Sequence, residues 1–285
     1  MNFLGLTERE ADYKRSRYVI LPVPYEQTTT FGKGTALGPS AILAASQEVE
    51  LYDEELGFEP CRCGIATSSP LEPTTDGPER MAAIIEETVQ QVLIHNKIPV
   101  MIGGEHSISV GPVAACVSEF ANLSVLQIDA HADLRESYQN YRYSHACAMA
   151  RIRDITKATV GVGIRNLSAE EAETVGRDNI PLIFAHSIHS GEQKLEDAIE
   201  HLTDEVYITI DLDGFDPSVI PGVGTPEPGG LGWYEVLALL RRVCREKRVV
   251  GFDVVELMPI PPSLVSDFAA AKLIYKIIGY MEAVK

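Results

Sequence analysis

Amphipathic stretches alternate with short apolar runs along most of the chain. Residues 74–97 place apolar side chains at helical spacing, and residues 98–104 follow as an apolar run that ends in two glycines. The same order recurs in residues 192–213 and again in residues 233–257. Strand-like runs that are apolar at nearly every position are typical of a parallel sheet covered on both faces. The pattern therefore predicts an alternation of helices and parallel strands.

The C-terminal residues 267–285 are also predicted to form an amphipathic helix, and no linker, repeat or low-complexity tract divides the sequence. The simplest interpretation is a single three-layer α/β/α domain that spans residues 1–285 and has a mainly parallel central sheet. In such folds, ligands bind where the strands end at the carboxyl edge of the sheet. Functional side chains are therefore expected directly after the predicted strands.

The charge of the chain restricts its partners. It carries 41 acidic and 24 basic residues, which gives a formal net charge of −17 over 285 residues. A nucleic acid would be repelled by this surface, so we expect no nucleic-acid partner. A cationic small molecule is favoured instead, because an acidic protein attracts it.

The N-terminal residues lack the apolar core of a signal peptide, and no apolar run approaches the roughly 20 residues of a membrane span. Five scattered cysteines do not suggest a disulfide framework and are expected to be reduced thiols. These features predict a cytoplasmic protein without a membrane partner.

Polar side chains of the types that bind metals follow four of the predicted strands. They are His106; Asp129, His131 and Asp133; Asp211 and Asp213; and Asp253 and Glu256. An alternation of such residues at every second position places them on one face of an extended chain, which allows them to converge. Three separate strand ends with complementary ligand types make a chance arrangement improbable.

Four aspartates brought together would repel one another, and two divalent cations would neutralise them. With the two histidines they make a mostly hard set of oxygen and nitrogen ligands, for which Mn²⁺ is the first choice. A pair of such cations can hold a hydroxide at neutral pH, so the spacing predicts a hydrolase with two Mn²⁺ ions per subunit. The predicted metal ligands are His106, Asp129, His131, Asp133, Asp211 and Asp213.

The motifs GGEHSIS, DAHADLR, DLDGFDPSVIPGVGTPEPGGL and DVVELMP, in this order, resemble those of the ureohydrolase family, which contains the arginases and agmatinases. The segment LPVPYEQTTTFGKGTALGPSAIL resembles the opening of the same family, so that the likeness extends over about residues 19–260. The resemblance implies a binuclear Mn²⁺ enzyme that hydrolyses a guanidino group to an amine and urea. It also implies a homotrimer or homohexamer.

By motif position, the resemblance assigns the same six metal ligands and adds two catalytic residues. Glu256 takes the place of the glutamate that binds the guanidinium group, and a carboxylate suits this role because it can accept two parallel hydrogen bonds. His145 takes the place of the proton-shuttle histidine, although Ala146 follows it where many agmatinases have glycine. Asp133 is counted with these two among the catalytic residues.

The substrate is less firmly indicated than the reaction. Arginases have an asparagine two positions after the last ligand of the DAHAD motif, and Arg135 stands there in this chain. The absence of this asparagine argues against arginine and favours agmatine. Glu136 is either a charge partner for the distal amine of agmatine or a solvated surface residue. If Arg135 points inward, it favours guanidinobutyrate or a similar guanidino acid instead. Aminopropylagmatine also remains open.

Two other classes of function deserve comparison with hydrolysis of a guanidino group. A two-metal phosphoesterase needs cations to hold its phosphate, but only Arg135 lies near the motifs and Glu256 would repel the substrate. A non-catalytic paralogue is disfavoured because all of the expected site residues are present.

The loop of residues 214–230, rich in glycine and proline, is expected to form a wall of the cleft.

Overall fold

Strands and helices alternate along the chain as the apolar pattern predicts. The protein is described by a computed structural model that covers residues 1–284. The strands are β1 (Tyr18–Val23), β2 (Ile65–Thr67), β3 (Ile98–Gly103), β4 (Leu123–Ile128), β5 (Thr159–Ile164), β6 (Leu182–Phe184), β7 (Glu205–Asp211) and β8 (Arg248–Val255). The α-helices are α1 (Gly38–Ser46), α2 (Pro78–Ile94), α3 (Val110–Glu119), α4 (Ala148–Ile155), α5 (Ala169–Asp178), α6 (Ala185–Ser190), α7 (Trp233–Glu246) and α8 (Val265–Glu282).

Within residues 1–284, the eight strands form one sheet in the order β2-β1-β3-β8-β7-β4-β5-β6, and every pairing is parallel. The central strands β3, β4, β7 and β8 are buried along nearly their whole length, as their apolar sequences require. Helices cover both faces of the sheet. The predicted single α/β domain with a parallel central sheet is confirmed.

The strand order explains why distant parts of the sequence meet. β3 and β4 follow each other along the chain, but β8 and β7 lie between them in the sheet. Because all four strands are parallel, their carboxyl ends lie side by side at one edge. The four segments that carry the predicted site residues are therefore brought to one place by topology.

Two predicted helices differ from expectation. The segment of residues 192–205 forms only a short 3₁₀ helix, Leu195–His201, although its apolar side chains Leu195, Ala198 and Ile199 are buried as the periodicity indicates. The C-terminal helix α8 is buried on most sides instead of being amphipathic. Its one deeply buried cation, Lys276, is compensated by ion pairs with Asp53 at 3.0 Å and Glu55 at 2.6 Å.

In residues 1–284, none of the helices combines the length and the apolar character that crossing a membrane requires. All five cysteines are free thiols, as predicted.

Candidate metal centre and catalytic cavity

His106 follows the two glycines at the end of β3 and lies at the centre of a first cluster of possible metal ligands. Its side chain is almost fully buried, and its Nδ1 lies 3.1 Å from Asp129 Oδ2, 3.2 Å from Asp133 Oδ2 and 3.5 Å from Asp211 Oδ2. Among residues 1–284, this Nδ1 atom has no hydrogen-bond partner. A buried nitrogen surrounded by carboxylate oxygens, without a hydrogen bond to any of them, is arranged as a metal ligand would be.

The opposite nitrogen of His106 supports the same interpretation. His106 Nε2 lies 2.9 Å from Thr209 Oγ1, and the Thr209 hydroxyl donates to Asp253 Oδ1 at 2.7 Å. Because that hydroxyl proton is directed at Asp253, the threonine oxygen accepts from the His106 Nε2–H group. With Nε2–H bonded to Thr209, loss of the second ring proton leaves the lone pair on Nδ1, and this is the tautomer that binds a metal among the carboxylates.

A second cluster adjoins the first and shares Asp129 with it. His131 Nδ1 lies 3.0 Å from Asp213 Oδ2 and 3.7 Å from Asp129 Oδ1. One possible cation site therefore comprises His106, Asp129 and Asp133, and the other comprises Asp129, His131 and Asp213. Asp211 lies beside the first of these, at the end of β7.

The electrostatics of these clusters fit a pair of cations. Burial and the negative charge of Asp129 raise the pKa of Asp133 to about 7. Burial, with the charges of Asp213 and Asp129, raises the pKa of Asp211 well above its ordinary value. Burial would lower the pKa of His106, but the three surrounding carboxylates raise it instead. In the absence of metal, bound protons compensate the negative charge of the clustered carboxylates. Divalent cations would compensate the same charge in place of these protons.

The way in which the DAHAD segment converges differs from the sequence prediction. β4 ends at Ile128, so the extended alternation does not continue through the ligands, and Asp133 has a left-handed backbone with φ +52°. As a result the three side chains do not all point one way. Asp133 joins His106, His131 joins Asp213, and Asp129 lies between them. The structure brings the three residues together as the spacing predicts, but they leave the regular strand and are distributed over two clusters.

Glu256 lies just past β8 and faces the same cavity. Its Oε1 accepts a hydrogen bond of 2.7 Å from the backbone N–H of His106, and its own backbone N–H donates to Gly104 O at 2.8 Å. Burial, followed by the charges of Glu105 and Asp213, raises the pKa of its carboxyl group. The side chain is thus fixed at one oxygen beside the first cluster, and a cationic ligand would stabilise its charged form.

The cavity that contains both clusters has a volume of about 820 Å³, which includes solvent at its open end. We call the two clusters together with Glu256 its floor. Its mouth is formed by Phe31, Arg135 and Tyr138, which line the same space. The Phe31 side chain is 81% exposed, whereas the floor carboxylates are almost completely buried.

His145 lines the cavity between floor and mouth, in a 3₁₀ helix that precedes α4. Its ring contacts Tyr138 edge-on, with 6.1 Å between the ring centroids. Burial lowers the pKa of His145, and the negative charge of Glu105 opposes this shift. A partly buried histidine at this position can exchange a proton with a bound ligand.

Arg135 and Glu136 are placed differently from each other. Arg135 Nε lies 3.7 Å from Glu171 Oε2, and its guanidinium stacks over the Tyr138 ring at 5.0 Å, so that it lines the cavity beside a carboxylate and an aromatic ring. Within residues 1–284, Glu136 is not part of the cavity wall. Its carboxylate is 75% exposed and accepts hydrogen bonds from Arg142 and Arg151 at 2.8 Å each. The structure therefore does not bring Glu136 to the predicted site.

Two polar residues near the site, one half-buried and one fully buried, were not identified from the sequence. The guanidinium of Arg165, after β5, donates to the backbone carbonyls of Asp213 at 2.6 Å and Glu227 at 2.8 Å. It thereby ties the loop of residues 214–230 to the sheet, and Gly224 and Thr225 of that loop line the cavity as expected. Glu105 is the other residue, and its place in GGEHSIS was the only sequence signal available.

The fold and the site together define a class of protein. It is a three-layer α/β protein in which histidines and carboxylates at the carboxyl edge of a parallel sheet form a site suited to two divalent cations. The model of the arginase family matches residues 16–279, and the chain belongs to that family.

Individual relatives support this assignment over nearly the whole chain. The chain is 41% identical to the N(1)-aminopropylagmatine ureohydrolase of Synechocystis sp., with 96% of this chain and 92% of the relative covered. It is 32% identical to the agmatinase of Pyrococcus horikoshii, with 94% and 93% covered. The crystal structure of the agmatine ureohydrolase of Thermoplasma volcanium superimposes with a TM-score of 0.89 at 31% identity, covering 99% of this chain and 95% of that one.

These relationships confirm the ureohydrolase resemblance found in the motifs. The chain is an enzyme of the arginase family that hydrolyses carbon–nitrogen bonds of guanidino groups.

Proposed function

We propose that the protein is a binuclear manganese ureohydrolase that converts N(1)-aminopropylagmatine to spermidine and urea. The observation that carries the reaction is the arrangement of two adjoining histidine–carboxylate clusters beside Glu256 on the floor of one cavity. The choice of substrate is supported by the name of the Synechocystis relative and by the mouth of the cavity. Agmatine, the first expectation from the sequence, is the second candidate because of the P. horikoshii relative.

The six predicted ligands would hold the cations. They are His106, Asp129, His131, Asp133, Asp211 and Asp213. The mixture of four carboxylates and two imidazoles favours Mn²⁺ over Mg²⁺, which prefers oxygen alone, and over Zn²⁺, which prefers more nitrogen or sulfur. When bound, such a pair supplies activated water at neutral pH.

Glu256 binds the guanidinium group of the substrate in this proposal. The backbone of His106 holds one carboxylate oxygen, so the side chain enters binding with a fixed orientation. A charge-assisted hydrogen bond to a planar guanidinium then places its carbon beside the metal ligands without further ordering of the protein.

His145 delivers a proton to the leaving amine. An amine is a poor leaving group until it is protonated, and a histidine is suited to this transfer because its pKa lies near physiological pH. Its position on the wall of the cavity supports this role.

The mouth of the cavity favours an extended polyamine over a guanidino acid. Arg135 lies 3.7 Å from Glu171 Oε2 and stacks on Tyr138, so a carboxylate and an aromatic ring of the protein itself partly offset its charge. Phe31 presents an exposed aromatic face to the same opening. An aromatic face attracts methylene groups and ammonium cations, and N(1)-aminopropylagmatine has more of both than agmatine has.

The test is urea release by the Mn²⁺-loaded protein with five substrates under identical conditions: N(1)-aminopropylagmatine, agmatine, guanidinobutyrate, guanidinopropionate and arginine. The expected result is the highest kcat/KM for N(1)-aminopropylagmatine, agmatine second, and little turnover of the two guanidino acids and arginine. A higher kcat/KM for agmatine would make the protein an agmatinase. Absence of urea from all five substrates would contradict the proposed reaction.

Three broader features belong to the same proposal. The product would place the enzyme in polyamine biosynthesis, and we expect it to act in the cytoplasm on a cationic guanidino substrate. We also expect a homotrimer or homohexamer, which light scattering coupled to size-exclusion chromatography would distinguish from a monomer of 31.2 kDa.

A further inference from the structure

Glu105 is a fully buried carboxylate whose acceptor positions are all used. Its Oε2 accepts hydrogen bonds of 2.6 Å from the backbone N–H groups of Gln27 and Thr28. Its Oε1 accepts from the hydroxyls of Thr28 at 2.7 Å and Ser107 at 2.6 Å. Four short hydrogen bonds from donors match the capacity of an acceptor-only carboxylate. Glu105 therefore fastens the segment after β1 to the segment after β3.

Thr28 carries this arrangement on to the candidate proton shuttle. Its oxygen accepts a hydrogen bond of 2.9 Å from the backbone N–H of His145 and lies 3.2 Å from His145 Nδ1. Thr28 is buried and, unlike its neighbours Thr29 and Thr30, does not line the cavity within the described chain. It therefore contacts His145 at Nδ1 without itself lining the cavity.

The direction of the Thr28 hydroxyl follows from its charged neighbour. A hydroxyl has one proton, and the short contact to the buried Glu105 carboxylate takes it. Were that proton directed at His145 instead, two acceptor oxygens would face each other at 2.7 Å in a buried environment, which is strongly unfavourable. The Thr28 oxygen can therefore only accept from His145 Nδ1, which must carry a hydrogen atom.

We propose that Glu105 and Thr28 are positioning residues that fix the tautomer of His145, so that Nδ1 keeps its hydrogen and Nε2 exchanges the catalytic proton. The Ser144 hydroxyl lies 3.3 Å from the same Nδ1 and accepts from it only in this tautomer, whereas in the other tautomer it would donate. Because Nδ1 of His145 carries a hydrogen atom in both the neutral and the cationic imidazole, the proton that the ring gains and loses is the one on Nε2. The inference rests on the proposed function for its catalytic meaning, but the tautomer itself is a property of the folded chain.

The direct test is nuclear magnetic resonance of the full-length protein with ¹⁵N-labelled histidine, loaded with diamagnetic Mg²⁺. The His145 signals are assigned by their loss in His145→Asn. At neutral and mildly alkaline pH we expect a protonated-type shift for Nδ1 and an unprotonated-type shift for Nε2. The opposite pattern in the wild-type protein would overturn the inference.

Thr28→Val tests the role of the hydroxyl, because valine has nearly the same shape and cannot hydrogen-bond. We expect a mixture of tautomers and a decrease in kcat of about 10- to 100-fold with little change in KM. Thr28→Ser, which restores the hydroxyl, should return kcat and the tautomer close to wild type. The matched control is Thr88→Val, on α2 and outside this network, which should change neither.

The outcomes separate the inference from the proposed function. If Thr28→Val keeps both the wild-type tautomer and the wild-type kcat, the positioning role is wrong. If His145→Asn retains wild-type kcat, the proton-shuttle role is wrong, while the measured tautomer still decides the inference. Loss of kcat without a change of tautomer in Thr28→Val would also contradict it, because the effect would then be merely structural.

Discussion

The floor and the mouth of the cavity are made from different kinds of structure. On the floor, side chains from the ends of four neighbouring central strands meet below the surface, and its carboxylates are almost completely buried. The mouth is built by loops, with one exposed aromatic ring and an arginine that is stacked on a tyrosine. The residues proposed to carry out the reaction thus lie at the rigid edge of the sheet. The residues proposed to select the substrate lie in loops, which can change in sequence without disturbing the floor.

The strongest way to break this comparison is to remove the residue that both metal clusters share. Asp129→Asn should abolish urea release and weaken binding of both cations, because one carboxylate contributes to both groups. Asp178→Asn, an exposed aspartate that pairs with Arg177, is the matched control and should behave as wild type. Activity and Mn²⁺ content measured together, with circular dichroism for the fold, provide the check. An active Asp129→Asn with full metal content would contradict the assignment of the floor.

A smaller effect is expected from pH, and it concerns only the floor. The raised pKa values of Asp133, about 7, and of Asp211 and His106 mean that these three groups bind protons more tightly in the metal-free folded chain than in the unfolded chain, whereas at Asp129 the effect of burial is outweighed by His106 and His131, which lower the pKa. Their contribution to the free energy of unfolding is present at low pH and is lost as the pH rises through these values. Cations replace the protons, so Mn²⁺ should bind more tightly above about pH 7.

Thermal unfolding with and without Mn²⁺ checks this expectation. The increase in Tm caused by Mn²⁺ should be larger at about pH 8 than at about pH 6, because metal-free stability falls while cation affinity rises. Calorimetric titration should show proton release on binding. An increase in Tm that is independent of pH would indicate that the crowded carboxylates do not hold protons in the absence of metal.

The sequence predicted the floor well and the mouth poorly, for a physical reason. His106, Asp129 and Asp213 follow apolar strands directly, and parallel strands end at one edge, so their convergence depends only on the fold class. Arg135 could be located but not oriented, because its direction depends on Glu171 and Tyr138, which no periodic pattern links to it.

The same distinction applies to Glu136 and Glu105. For Glu136 the sequence left two roles open, a charge partner for the distal amine or a solvated surface residue, and the structure shows an exposed carboxylate bound by Arg142 and Arg151. Glu105 precedes the predicted metal ligand His106 in its motif and has no signal of its own. It bonds to Thr28, which in turn bonds to His145, and both residues are distant in sequence. Contacts between two loops cannot be inferred from the sequence pattern, because no helix or strand fixes the position of one loop relative to the other.

The smallest expected effect tests the mouth alone. Phe31→Ala should raise KM for N(1)-aminopropylagmatine about two- to fivefold, which corresponds to an exposed cation–π contact, and should change KM for agmatine less. The value of kcat should stay unchanged for both substrates, because Phe31 is an exposed aromatic residue and is not one of the buried floor residues that take part in the reaction. Tyr234→Ala is the matched control, since this aromatic side chain is 82% exposed and lies on α7, outside the cavity wall of the described chain. Equal increases in KM for the two substrates would show that Phe31 supports the loop and does not select the longer polyamine. A preference for that substrate would then have to come from Tyr138 and Arg135.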